Sequence, residues 1–216
     1  ALKLSLDTIW SAIYFFDRYL SSGKGKSDVA LEDKYTYQLV AITSFYIAVK
    51  AREDVILSTK TLTKLCKGYY QENDILELEE DILFALDFRL ASPTSMEFVQ
   101  HYKKLLPQDV DTSCVLKECQ EKIAYTSTDF YFTFFKPSVV GASCLASTLI
   151  ARDLLSTKQR QAFYLHLANT SNLIDIMEAE KKLMAGYEES VTVSKASQTS
   201  TASMSSTAST SIVSSS

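Results

Sequence analysis

The sequence predicts an all-α protein. With Gly 5 and Pro 3 in 216 residues, it is too poor in turn formers for the many tight connections of an all-β fold. Hydrophobic residues make up 46% of the chain, enough for a sizeable core. Apolar residues recur at three- and four-residue spacing as far as Tyr187, the period of a helix rather than a strand.

The first helix is expected from about Leu4 to Ser22, with Ile9, Ile13, Phe16 and Leu20 on one face and Trp10, Tyr14 and Phe15 widening it. Asp17 and Arg18 interrupt this apolar segment. A buried carboxylate needs a partner, and the positions one turn away, Ile13, Tyr14, Leu20 and Ser21, supply none. If Asp17 is buried, its partner lies elsewhere in the fold. The turn formers of SSGKGKSD then break the helix. A second helix, about Leu31 to Arg52, contains the apolar run Leu39 to Val49. That run is about half the roughly 20 residues needed to span a bilayer, so it predicts a buried helix. Its end, Lys50, Ala51 and Arg52, places cations at the negative pole of the helix dipole.

A third helix is expected around Ser58 to Lys67, with Gly68 as C-cap. A fourth is expected over Asp74 to Phe88, with Ile75, Leu78, Ile82, Leu83 and Leu86 at helical spacing, Asp74 as N-cap and Glu77 as its capping-box partner. Pro93 marks a boundary, because the residue before a proline is biased away from helix. Thr94 can cap the next helix, SMEFVQHYKKLL, with Glu97 completing another box. Further helices follow over Thr112 to Phe130, Pro137 to Leu154, Thr157 to Leu167 and Thr170 to Tyr187; proline is favoured in a first helical turn. Val139 to Asp153 echoes Leu39 to Glu53: both are nearly all apolar and both end in a base beside an acid. Two similar helical units in tandem would produce that echo, as would any two buried helices. From Ser190 the chain is mostly Ser, Thr and Ala, too poor in apolar groups to offset its ordering entropy, and disorder is expected there.

Candidates for chemistry are few. The formal net charge is -4 and the pI about 5.3, which argues against a nucleic-acid binder with a basic face. No signal peptide is visible. Cys66, Cys114, Cys119 and Cys144 form no CxxC pair and suit buried, reduced thiols of an intracellular protein. His101 and His166 lack second ligands at metal spacing. GKGKS, Gly23 to Ser27, ends like a phosphate-binding loop but has Leu20 where the motif needs Gly; a solvated linker accounts for it. The acids Glu77, Glu79, Glu80 and Asp81 point in different directions on a helix. Neither a cofactor nor a catalytic site is expected.

Three blocks carry a resemblance. DTIWSAIYFFDRYLSS, YQLVAITSFYIAVKARED and LEEDILFALDFRLASPTSMEFVQHY together resemble the cyclin box in order and spacing, nearest to the mitotic and S-phase A- and B-type groups. FKPSVVGASCLAS resembles the start of a helix in the second cyclin fold. The resemblance covers about residues 5 to 187. It implies two tandem five-helix cyclin folds: an N-terminal box over 1–92 without its first helix and a second fold over 93–189, followed by a tail over 190–216. It further implies a nuclear and cytoplasmic regulatory subunit of a cyclin-dependent serine/threonine kinase. A cyclin-fold transcription regulator, either a transcriptional cyclin or a promoter-binding general factor, is the alternative.

By the same resemblance, Lys50 and Glu79 take the positions that grip kinase backbone, and Leu83 and Phe88 those of apolar kinase contacts. Tyr37 and Gln38 match what remains of a groove for substrate or inhibitor docking peptides, with Tyr in place of the usual Leu. Asp17 matches an acid whose family partner is an Arg of a helix upstream of Ala1. Ala51 and Arg52 depart from the bulky and acidic residues usual after the family Lys.

Overall fold

A computed structural model describes residues 4–108, 110–187, 189 and 190. Among these, helices account for all the regular structure. The chain divides into two compact units, Ala1–Thr94 and Ser95–Ser216, where the resemblance placed the division between residues 92 and 93. The Ser/Thr-rich tail expected from Ser190 lies, after that residue, outside the described residues.

The first unit contains α1 (Leu6–Leu20), α2 (Ser27–Glu32), α3 (Lys34–Arg52), α4 (Thr59–Leu65) and α5 (Glu72–Ala85). Ser5 starts α1 by accepting the Thr8 N–H at 3.2 Å, and Ser58 does the same for α4 from Thr61. α3 packs against α1, α2 and α5. Phe15, Tyr19, Ile47, Ile75, Leu78 and Ile82 are almost fully buried among them. Gly68, at φ 71, closes α4 as expected, its N–H bonding the Thr63 carbonyl.

Three boundaries and the buried stripe of α1 differ from expectation in this unit. Asp33 accepts the Thr36 N–H at 2.8 Å and caps α3, so the preceding residues form the separate helix α2. α5 begins two residues early, and Asp74 accepts the Gln71 N–H at 2.9 Å from inside the helix instead of capping it. It stops at Ala85 because Asp87 and Phe88 are left-handed, at φ 52 and 55. On α1 the stripe facing the core is Thr8, Ala12, Phe15 and Tyr19, while Ile9 and Ile13 stay exposed beside Leu6. The small Thr8, Ser11 and Ala12 let α1 approach α3, and the branched residues lie on the next stripe round.

The second unit contains α6 (Ser95–Tyr102), α7 (Thr112–Thr126), α8 (Pro137–Ala151), α9 (Thr157–Ala168) and α10 (residues 173–187), with 3-10 turns at Lys103–Leu105 and Phe130–Phe134. α8 is buried nearly throughout and packs against α6 and α7. α7 ends at Thr126, short of the expected Phe130, and the aromatic segment after it winds into the 3-10 turn. The repeated apolar helices thus occupy comparable places, with α3 and α8 each packed by several neighbours within its own unit.

Candidate functional site

The α3–α5 pair carries the site. Lys50 lies in the last turn of α3 and Glu79 in the middle of α5, and the Lys50 ammonium donates to Glu79 Oε1 at 2.6 Å. The two side chains differ in exposure, 49% for Lys50 and 11% for Glu79. The acid is thus largely withdrawn from water, and the ammonium covers it from the solvent side. The ammonium also stands 5.0 Å from the centroid of Tyr46, one turn earlier on α3, which the ring's negative face favours. An ammonium has three N–H donors, and Glu79 engages one of them.

Leu83 is one turn beyond Glu79 on the same row of α5, half-buried against the core of the first unit. Phe88 follows the end of α5, 58% exposed, its ring edge-on to Phe84 at 5.4 Å. Phe84, itself 61% exposed, is absent from the expected contacts. Its signal was an aromatic standing four residues after Glu80, on a row the helical pattern assigns to solvent.

The remaining acids of the expected cluster separate as helical geometry requires. Asp81 accepts the Tyr19 hydroxyl and the Lys26 N–H, Glu77 stands 3.7 Å from Lys26, and Glu80 is exposed. After Lys50, Arg52 donates to the Ser92 carbonyl at 3.0 Å, while Glu53 accepts the Ser5 N–H and the Thr8 hydroxyl and so ties down the start of α1. Arg52, which departs from the family pattern, is therefore bonded inside the first unit.

Tyr37 and Gln38 lie in the first two turns of α3, about 18 Å along the helix from Lys50. Tyr37 packs edge-on against Phe16 at 5.1 Å, and Gln38 accepts the Tyr70 hydroxyl at 3.3 Å. Asp17 is exposed and makes no ion pair among the described residues, but the atoms packed round its base raise its pKa by desolvation.

Of the cysteines, Cys119 and Cys144 are buried, Cys66 is half-buried and Cys114 is exposed. The expectation of buried thiols fails at Cys114, which sits in the first turn of α7, off that helix's core stripe of Val115, Cys119 and Ile123. Burial pushes the Cys119 thiol up to about 11, which keeps it protonated and unreactive. Among the described residues no group of three or more His, Cys, Asp or Glu could hold a metal, and no helix is long and apolar enough to cross a membrane.

Residues 1–91 match the cyclin N-terminal domain, a span that contains both halves of the Lys50–Glu79 pair. Cyclin-A3-1 of Arabidopsis thaliana is 30% identical over 159 residues, 73% of this chain and 42% of that one. Residues 1–91 belong to the cyclin N-terminal domain family. The G2/mitotic-specific cyclin cdc13 of Schizosaccharomyces pombe is 29% identical over 153 residues, 71% of this chain and 29% of that one. The chain therefore spans less than half the length of either relative. A viral cyclin from herpesvirus saimiri superposes with a TM-score of 0.65 at 17% identity, over 83% of this chain and 75% of that one, which establishes the cyclin fold.

Proposed function

We propose that this chain binds and activates a cyclin-dependent serine/threonine kinase in cell-cycle control, as a regulatory subunit without catalysis of its own. The Lys50–Glu79 pair carries the proposal: two charges held at 2.6 Å, the ammonium half-exposed and the carboxylate largely buried beside it, at the positions where the family resemblance puts the kinase grip. The exposed ammonium can donate to backbone carbonyls, and the carboxylate can accept a backbone N–H. Each such charged hydrogen bond contributes roughly 1.5–3 kcal/mol. The pair is already formed in the free chain, so little side-chain ordering remains to be done on binding.

A kinase transfers phosphate only when the helix bearing its catalytic Glu is turned inward to complete a Lys–Glu ion pair. A subunit that grips backbone beside that helix in the inward position binds one conformer better than the other and shifts the population towards it. With Arg52 and Glu53 bonded within the first unit, the polar grip falls to Lys50 and Glu79.

Binding to a recombinant cyclin-dependent kinase subunit tests this. Lys50→Ala with Glu79→Ala should weaken binding on the order of 100-fold, the equivalent of two lost charged hydrogen bonds. Unchanged affinity would overturn the site, and salt-sensitive DNA binding without kinase association would favour a promoter-binding role.

A further inference from the structure

We propose that the cavity between α9 and α10 is a binding site for a small apolar molecule carrying one ammonium group, with Glu180 as the residue that recognises the cation. The inference is independent of the kinase-binding reading above, because the residues that carry it all belong to the second unit.

The cavity encloses about 560 Å³ and is lined by Tyr164 of α9 and by Leu173, Met177, Glu180, Lys181 and Met184 of α10. That volume lies within the roughly 300–1,000 Å³ of small-molecule sites. On α10 the lining residues recur at helical spacing and form one stripe about three turns long. The adjoining stripe of Ile176, Ala179 and Leu183 is fully buried and supplies the core of the unit. The cavity is therefore walled by a side of α10 that the core does not use. Its two methionines are flexible and polarisable, and such side chains adapt to varied apolar shapes.

Glu180 does not fit a purely apolar wall. It is only 7% exposed, and a buried carboxylate needs a countercharge and donors for its oxygens. Oε2 accepts the Tyr164 hydroxyl at 2.6 Å, a bond that ties α10 to α9. Oε1 accepts no hydrogen bond among the described residues, and none of their cations forms an ion pair with this carboxylate. Arg160 pairs with Asp153 at 3.7 Å and Lys122 with Glu118 at 3.0 Å. Both cations favour the charged form of Glu180 from a distance, but burial outweighs them and leaves its pKa raised. A tie between helices explains Oε2 and no more, since a neutral glutamine would accept the same hydroxyl without burying a charge. An ammonium seated in the cavity would give Oε1 its donor and the carboxylate its countercharge, in a place withdrawn from water where both interactions are strengthened. The apolar body of the ligand would then lie against Leu173, Met177 and Met184. Lys181 is exposed, and its long stem lets its own ammonium stay in water.

The test follows the methyl signals of Met177 and Met184 by NMR while the full chain is titrated with octylamine, which is protonated at pH 7. Octanol and octanoate serve as its neutral and anionic counterparts. Octylammonium should move both signals saturably and bind about tenfold more tightly than octanol, the difference between a charged and a neutral hydrogen bond, and octanoate should bind most weakly. Glu180→Gln keeps an acceptor for the Tyr164 hydroxyl and should erase the preference for octylammonium over octanol. Equal wild-type affinity for octylammonium and octanol, or a preference that survives Glu180→Gln, would overturn the proposal. So would no saturable shift with any of the three probes. Tightest binding of octanoate would make Lys181 the recognising charge and overturn it as well. Sedimentation covers the other occupant: a wild-type dimer abolished by Met177→Ser would assign the cavity to a second copy of this chain and overturn the proposal.

Discussion

Asp17 carries a negative charge on a stripe of α1 that also presents Leu6, Ile9 and Ile13 to solvent. Neighbouring atoms withdraw water from it without supplying a cation, and its pKa is raised accordingly. The folded state therefore disfavours the charged form, and that penalty is present at neutral pH. It is relieved as the pH falls through the raised folded value towards the ordinary one near 3.8. Asp17→Asn should leave urea stability at pH 7 unchanged or slightly higher, within about 0.5 kcal/mol. A loss of several kcal/mol would mean that the carboxylate has a stabilising partner in this chain. Lys122 is the opposite case. It is buried, 3.0 Å from Glu118 and 3.1 Å from both the Ser147 and Thr148 hydroxyls. Removing one member of such a set strands the others. Lys122→Met should cost about 3 kcal/mol in urea unfolding, and a loss below about 1 kcal/mol would contradict it. The sequence flagged Asp17, a charge inside an apolar run, and passed over Lys122. Lysine in a mixed helix such as TSCVLKECQEKIAYT looks like surface, and only the tertiary contact with α8 buries it. Phe84 escaped for the converse reason, as an apolar residue on a row that the pattern assigns to solvent.

Among the elements, the GKGKS segment is a brace for α5. Gly25 has φ 58, and a Cβ there would collide with the Asp81 carboxylate, which also receives the Lys26 N–H at 2.9 Å. Gly25→Ala should destabilise the chain by about 1–3 kcal/mol, through left-handed strain and the displaced carboxylate, whereas Gly23→Ala, with open space around its Cβ, should show the strain alone. Equal losses at the two sites, measured by thermal unfolding, would show that the contact with Asp81 does not matter. The linker character of GKGKS was legible in its glycines, but its attachment to α5 was not, because Asp81 is more than fifty residues away in sequence. α7 and α8 are joined through Glu118, which bonds Arg152 at 2.7 Å as well as Lys122. Burial would raise the Glu118 pKa, but the hydrogen bonds and charges of Arg152 and Lys122 outweigh it and leave the pKa lowered. The stability this acid contributes is therefore present above its ordinary value near 4.5 and lost as the pH falls through the lower folded value. Unfolding midpoints of wild type and Glu118→Gln should differ at pH 7 and converge in acid; a constant difference would contradict the linkage.

At the scale of the whole molecule, the helices were legible because each has its own apolar period and most have a capping residue. The expected and observed helices differ mainly at their ends, where Asp33 and the left-handed Asp87 and Phe88 decide. Beside the boundary at Pro93 and the division that the resemblance implied, the two units showed in the residues as an echo between Leu39–Glu53 and Val139–Asp153. The packing of α3 and α8 within their own units gives that echo its physical meaning. The site was less legible from physics alone. Lys50 and Glu79 lie on different helices, and nothing in charge or periodicity pairs them; the cyclin resemblance singled them out, and the fold brings them to 2.6 Å. If the Lys50–Glu79 pair makes the chain a kinase activator, as proposed, removing the pair must remove the activation. Histone phosphorylation by a cyclin-dependent kinase subunit is followed with wild-type chain and with Lys50→Ala plus Glu79→Ala, each at saturating concentration for the wild type. The wild type should activate strongly, and the double variant should lose that activation by at least about tenfold. Full activation by the double variant, or none by the wild type, would contradict the proposal.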